Sequence, residues 1–266
     1  MLSYKLNRLL RRLEKPFLSR RPLPVKIKYD CFDRPHFAFG MFHAAYLAKS
    51  LGHPALSAVE FGVAGGNGLV TMEHIASEIS RYFGIRIEVY GFDMGEGQPS
   101  PIDYRDSPYI WRRGQFKMDV PKLQGRLKSA RLIIGDAGSQ VGMFRSFNPS
   151  PIGFVSFDMD YYSSTVGVWP LFGGDRELFL PRVFCYFDDI IGHDNEYHSR
   201  FTGELLAIDE FNSAHQSRKF APINGLAYKR VYPAAWNHQM YVLHMFDHAA
   251  YNSFVNPMGD MQRPLL

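Results

Sequence analysis

Two hydrophobic rhythms alternate along the chain. Short, nearly continuous apolar runs end at Ala58-Val59-Glu60-Phe61 and cover 85–92, 131–135, 152–157, 182–187, 226–232 and 239–246. Their length and content predict strands buried on both faces. Between them, residues 37–51 and 69–83 carry apolar positions at helical spacing, and 118–127 and 203–212 read as shorter helices. Strands alternating with helices predict an α/β fold with a mostly parallel sheet. The last two strands read as a hairpin-like pair whose final member runs antiparallel. Residues 2–18 place Leu2, Leu6, Leu9, Leu10, Leu13 and Phe17 at helical spacing with lysines and arginines between them. Arg21-Pro22-Leu23-Pro24 reads as a linker after that helix. The expected organisation is an extension over 1–54 (basic amphipathic helix, linker and cover helix) followed by one domain over 55–266.

Charge refines this picture. Residues 1–28 hold nine basic side chains against Glu14 alone, a local +8 within a total of +4, so the rest of the chain carries −4. A mildly acidic body offers no nucleic-acid groove. The basic helix suits either an anionic membrane surface or packing against the domain or another subunit, and a homo-oligomer is compatible with it. With 46% hydrophobic and 15% aromatic residues the chain can bury a large core. Apolar runs of membrane-spanning length and a signal-peptide pattern are both absent, so a cytoplasmic setting is expected. Cys31 and Cys185 lack metal-type spacing, and Cys185, inside an apolar strand, reads as a packed thiol.

The richest chemistry follows the strands. After Phe61 come Gly62, Gly65, Gly66 and Gly68 before the helix that starts at Leu69. A strand, a glycine turn and a helix N-terminus let a ligand approach the backbone closely. Ala64 breaks the dinucleotide Gly-x-Gly-x-x-Gly spacing, and Glu60 would repel a pyrophosphate. A cationic or amine-bearing ligand fits better. Asp93 ends the second strand, where a carboxylate can accept ribose hydroxyls. Asp136, Ser139 and Gln140 follow the third strand, and small and amide side chains there suit the edge of an adenine ring. The stretch 94–117 is too long for an idle connection and reads as a cover over the site or as a surface loop.

Four further carboxylates, Asp158, Asp160, Asp188 and Asp189, follow the strands at 152–157 and 182–187. Brought together bare they would repel one another, and a hard divalent cation resolves this, Mg²⁺ best and Mn²⁺ or Ca²⁺ next. His193, His198 and Glu204 come after them and are open to two readings, substrate contacts or a hydrated loop and a helix start.

Taken together, Glu60 with its glycine loop, Asp93, GDAGSQ at 135–140, FDMDYYSST at 157–165 and FDD at 187–189 resemble class I S-adenosylmethionine-dependent methyltransferases. The chain looks most like the metal-dependent macrocin and sugar O-methyltransferase group, over residues 55–245. The resemblance implies a Rossmann-like, mostly parallel seven-stranded sheet with helices on both faces, its last strand antiparallel, plus the N-terminal helical extension. It implies that Glu60, Gly62, Gly65 and Gly66 hold the methionine part of S-adenosylmethionine. Asp93 would take the ribose, and Asp136, Ser139 and Gln140 would border the adenine. Asp158, Asp188 and Asp189 would bind Mg²⁺ (Mn²⁺ as a substitute), with Asp160 as general base. Two departures stand out. Ala64 replaces a glycine common in this loop, a change that costs little if its φ is negative. Tyr161 and Tyr162 stand where catechol-type relatives carry a lysine base, which favours a carboxylate base here.

The expected activity is O-methylation of a hydroxyl on a small polar acceptor, a sugar or glycosylated metabolite by resemblance. Two alternatives compete with it. One is a nucleotide-sugar glycosyltransferase using Asp158-x-Asp160 to hold metal and diphosphate. The other is a non-catalytic methyltransferase-like subunit.

Overall fold

The computed structural model describes residues 17, 18 and 20–256 of the 266-residue chain. The amphipathic helix expected over 2–18 lies outside the described residues except for its last two positions, as does the tail beyond 256. Helix α1 (Leu23–Lys28) corrects the linker expectation: Pro22 caps it and Pro24 sits in its first turn, where a missing N–H costs nothing. Next come α2 (Pro35–Ser50), β1 (Ala55–Phe61), α3 (Asn67–Phe83) and β2 (Arg86–Asp93). After the long 94–117 segment follow α4 (Val120–Gln124), β3 (Arg131–Ile134), α5 (Ala137–Gln140), β4 (Ile152–Phe157), α6 (Tyr162–Gly167) and α7 (Trp169–Gly173). The chain continues through β5 (Phe179–Phe187), α8 (Gly203–Ala214), β6 (Arg218–Pro222), α9 (Leu226–Lys229) and β7 (Met240–Met245).

The seven strands form one sheet in the order β3-β2-β1-β4-β5-β7-β6. β1 to β5 pair in parallel, and β7 runs antiparallel to both β5 and β6. This matches the expected mixed sheet with a reversed last strand. β1 and β4 are buried at every position, as their continuous apolar sequences require. One face of the sheet packs on α2 and α3 through Phe37, Met41, Ala44, Leu69, Met72 and Ile75. The other packs on Phe144, Trp169, Phe172, Ala207 and Phe211. Helices therefore cover both faces. His43, on α2, is packed between aromatic rings, and burial with help from Arg230 lowers its pKa to about 4, so it serves as a neutral packing group. Cys185 is buried and its thiol is pushed up by burial, as expected of a packed cysteine.

One strand falls elsewhere than the sequence pattern indicates. The strand that pairs with β7 at the sheet edge is Arg218–Pro222, whereas 226–232 contributes only a helical turn opened by Gly225 at φ +72°. The polar start of β6 hides its strand character. Arg218 is buried because it pairs with Asp247 at 2.8 Å and donates to the carbonyls of Phe172 and Gly174 at 2.7 and 2.8 Å. A charge satisfied that fully can occupy a sheet position that hydrophobicity alone would not assign. Among the described residues, no helix is long and apolar enough to cross a membrane.

A buried carboxylate ties α3 to the turn before β3. Glu73 accepts the backbone N–H groups of Lys128 and Ala130 at 2.9 and 2.8 Å, and that of Ser129. Burial alone would raise its pKa, but these bonds outweigh it and hold the carboxyl below its ordinary value. A depressed folded-state pKa gives stability that is complete above the ordinary glutamate range and lost as pH falls through the folded value. Glu73→Ala is expected to cost about 1–3 kcal/mol in urea unfolding at neutral pH. The gap to the unmodified protein should narrow as the pH drops below that range.

Candidate functional site

Strand register builds the site. Phe92 pairs with Phe61, Phe61 with Phe157, and Phe157 with Phe187, so four neighbouring strands end level. The rings form a row, with centroids 5.1 Å apart for Phe61–Phe92, 5.7 Å for Phe61–Phe157 and 4.5 Å for Phe157–Phe187. Each strand then delivers its next residue to one rim: Asp93 ends β2, and Gly62, Asp158 and Asp188 follow the other three. Offset ring pairs of this kind are worth about 0.5–1.5 kcal/mol beyond their burial. The same contacts that stabilise the sheet therefore also align the polar rim.

Gly62 is pressed against β4. Its φ is +83°, and a Cβ there would lie 1.7 Å from the carbonyl oxygen of Asp158. Asp93 organises the loop that follows, accepting the N–H groups of Val63 and Ala64 through Oδ2 at 2.9 and 2.8 Å and that of Gly95 through Oδ1 at 2.6 Å. Ala64 has φ +47°, so the negative φ that would make its alanine harmless is not found. The loop holds a left-handed alanine, braced by the Asp93 carboxylate. Glu60 lies beneath, fully buried against Gly68, with Oε2 lacking any hydrogen-bond partner. Burial pushes its pKa well up, against the pull of Arg34.

Ligand oxygens of Asp158, Asp188 and Asp189 lie within 4.8 Å of one another. Opposite ligands on a magnesium-type ion stand about 4.2 Å apart, twice a bond of about 2.1 Å, so this donor set fits such an ion. Asp160 stands beside the three with φ +60°, its N–H donating to Asp189 Oδ2 at 2.7 Å. Gln98 donates to Asp160 Oδ2 from the long segment opposite. Burial, then Asp188 and Asp160, raise the Asp158 carboxyl far above its ordinary range; burial, then Asp160 and Glu204, do the same to Asp189. Asp160 rises to about 6, chiefly by burial, although the Gln98 bond favours its charged form. A divalent ion would reverse these shifts by favouring the ionised carboxylates.

A single cavity of about 590 Å³ joins the two halves of the rim. Its walls include Gly62, Ala64, Asp93, Asp136 and Ala137 on one side and Asp158, Asp160, Asp188, Asp189, His193 and Glu196 on the other. The 94–117 segment closes it with Gln98, Pro99, Trp111 and Phe116. This cover folds on itself through Gln98 and Gln115, whose backbone bond is 2.8 Å. Buried Asp106 fastens it to α6, accepting Ser163 N–H and Oγ–H at 2.8 and 2.9 Å. At the far rim Tyr109 donates to the carbonyl of Glu196 at 2.6 Å.

Of the residues singled out by sequence, Gly62, Asp93, Asp136, Asp158, Asp160, Asp188 and Asp189 share this cavity. Glu60, Gly65, Gly66, Ser139 and Gln140 are not among its lining residues. Gly66 is the left-handed cap of α3, Gly65 is exposed, and Ser139 turns its hydroxyl to Asp136 at 2.7 Å. Glu204 is not a lining residue either: it is buried behind the acids, accepting the Asp189 N–H at 3.1 Å. His193 lines the cavity, while His198 is occupied by Glu196 at 3.0 Å. Sequence reasoning missed Gln98, Trp111, Phe116 and Tyr186. Tyr186 donates to Asp188 Oδ1, and burial followed by the Asp188 charge pushes its phenol up, keeping it a donor. Its signal was its position two residues before Asp188, on the same side of the strand.

No protein-family model and no curated protein matches the chain. Among solved structures, it is similar to CalS11, described as a calicheamicin methyltransferase, with a TM-score of 0.51 and 19% identity over 88% of this chain and 90% of that one. It is also similar to the O-methyltransferase NovP, with a TM-score of 0.52 and 12% identity over 79% of each chain. At these identities the likeness is one of fold: the chain has the Rossmann-like methyltransferase topology.

The loop geometry is open to a direct check. Ala64→Gly removes the left-handed penalty on a side chain and is expected to stabilise the protein by about 0.5–1 kcal/mol in urea unfolding, after the entropic cost of glycine. Gly62→Ala should lower stability markedly, because its Cβ has no room against β4.

Proposed function

We propose that the chain is an S-adenosylmethionine-dependent O-methyltransferase whose acceptor hydroxyl is activated at a divalent ion. The observation that carries this reading is the single cavity in which the glycine-loop rim meets three clustered aspartates. The methyltransferase fold supports it. S-adenosylmethionine would lie along Gly62, Asp93 and Asp136, its cationic end favoured by the acidic rim. Asp158, Asp188 and Asp189 would hold Mg²⁺ or Mn²⁺. When bound, such an ion lowers the pKa of a coordinated hydroxyl and orients neighbouring oxygens.

The chain's own residues supply the rest. Asp160 reaches the same space without belonging to the triad, so it is placed to take the acceptor's proton on the carboxylate oxygen not engaged by Gln98. The 94–117 cover excludes water and presents Trp111 and Phe116 to the acceptor. The acceptor class is a small hydroxylated molecule with adjacent oxygens, and the resemblance of the sequence motifs to the sugar O-methyltransferase group makes a glycosylated metabolite the first class to screen. A glycosyltransferase grip through Asp158-x-Asp160 fits less well, because Asp160 stands outside the cluster and Asp188 and Asp189 would repel a diphosphate.

Calorimetric titration separates these readings. S-adenosylhomocysteine is expected to bind, and UDP-sugars are not, with or without Mg²⁺; the opposite outcome would favour the glycosyltransferase, and binding of neither would favour the non-catalytic subunit. In a mass-spectrometric screen for methyl gain on hydroxylated acceptors, Asp158→Ala should abolish metal-stimulated turnover yet leave S-adenosylhomocysteine affinity nearly unchanged. Asp160→Asn should slow transfer roughly 10²–10⁴-fold. Full activity of Asp158→Ala would remove the metal from the mechanism.

A further inference from the structure

Resting on the metal reading above, we propose that the hydroxyl of Tyr186 makes Asp188 a one-oxygen ligand and so tunes the site to a small, six-coordinate ion in preference to Ca²⁺. Tyr186 and Asp188 point to the same side of the chain at the end of β5, and the phenol donates to Asp188 Oδ1. The ring cannot swing aside. It is buried and stacked on His36 of α2, with centroids 3.9 Å apart and planes at 22°, and Phe37 meets it edge-on at 6.3 Å. The turn that carries Asp188 is pinned as well, because Gln239 Nε2 donates to the Asp188 carbonyl at 2.6 Å.

Asp189 shows the same device. Its Oδ2 accepts the Asp160 N–H at 2.7 Å, which leaves its other oxygen for an ion. Two of the three aspartates thus commit one oxygen each to the protein. Calcium takes about six to eight oxygens at 2.3–2.6 Å and commonly draws on bidentate carboxylates, whereas magnesium and manganese accept single oxygens in an octahedron completed by water. A tethered Asp188 denies calcium one of its bidentate partners. Hydrogen-bond partners outside the ligand set characteristically change metal affinity about 10–100-fold when removed.

The test titrates Mn²⁺ and Ca²⁺ separately into the full chain and into Tyr186→Phe, which keeps the ring and its stack but loses the hydroxyl. S-adenosylhomocysteine affinity, unchanged between the two, reports an intact fold. The unmodified protein is expected to prefer Mn²⁺, and Tyr186→Phe should shrink that preference roughly 10-fold, chiefly through tighter Ca²⁺ binding. An unchanged preference would overturn the role of Tyr186 while leaving the metal reading standing. Binding of neither ion by the unmodified protein would remove the metal reading itself.

Discussion

Everything at the rim depends on one constraint, the level ending of β2, β1, β4 and β5. Parallel pairing fixes which residues stand opposite one another, and Phe92, Phe61, Phe157 and Phe187 lock that register with a row of rings. A slip of one residue in any strand would turn its side chains to the other face. It would move Asp158 or Asp188 away from its neighbours and leave a phenylalanine at the polar rim. Core packing and the chemistry of the cavity are therefore a single structural fact read from two sides.

The rim stores electrostatic tension. Burial raises the pKa values of Asp158, Asp189, Asp160, Glu204 and Glu60, and neighbouring carboxylates raise each of them further. Such a cluster is unfavourable with every carboxylate charged, and protons or a cation can relieve it. The surroundings hold the acids in place: N–H and hydroxyl donors fix Asp188 and Asp189 in orientation, and Asp160 sits in a left-handed backbone conformation of the kind that persists at functional sites. The cover from 94 to 117 then closes the space, anchored midway by buried Asp106 to α6 and by Tyr109 to the carbonyl of Glu196.

Much of this was legible in the sequence because it is local. The strand–glycine–helix unit at 58–83 is found where the pattern places it, and the acids Asp93, Asp136, Asp158 and Asp188 that end or follow strands line the cavity together with part of 94–117. Long-range pairing was not legible. Arg218 reads as an exposed residue until Asp247 and two carbonyls are seen around it, and this hid β6 behind the more apolar 226–232. Tyr186 and Gln98 carry no motif, and their importance comes only from what the fold places beside them. The sign of φ at Ala64 likewise depends on Asp93, a residue about 30 positions away along the chain.

On the proposed reading, the acids that follow β4 and β5 would meet at a divalent ion inside the cavity that would hold the methyl donor. A crystal structure of the full chain with S-adenosylhomocysteine and Mn²⁺, read by anomalous scattering from manganese, tests it most directly. The expected result is a manganese peak among Asp158, Asp188 and Asp189, with the cofactor's sulfur facing it across the same cavity. A peak at other side chains, or a cofactor bound away from Gly62 and Asp93, would contradict it.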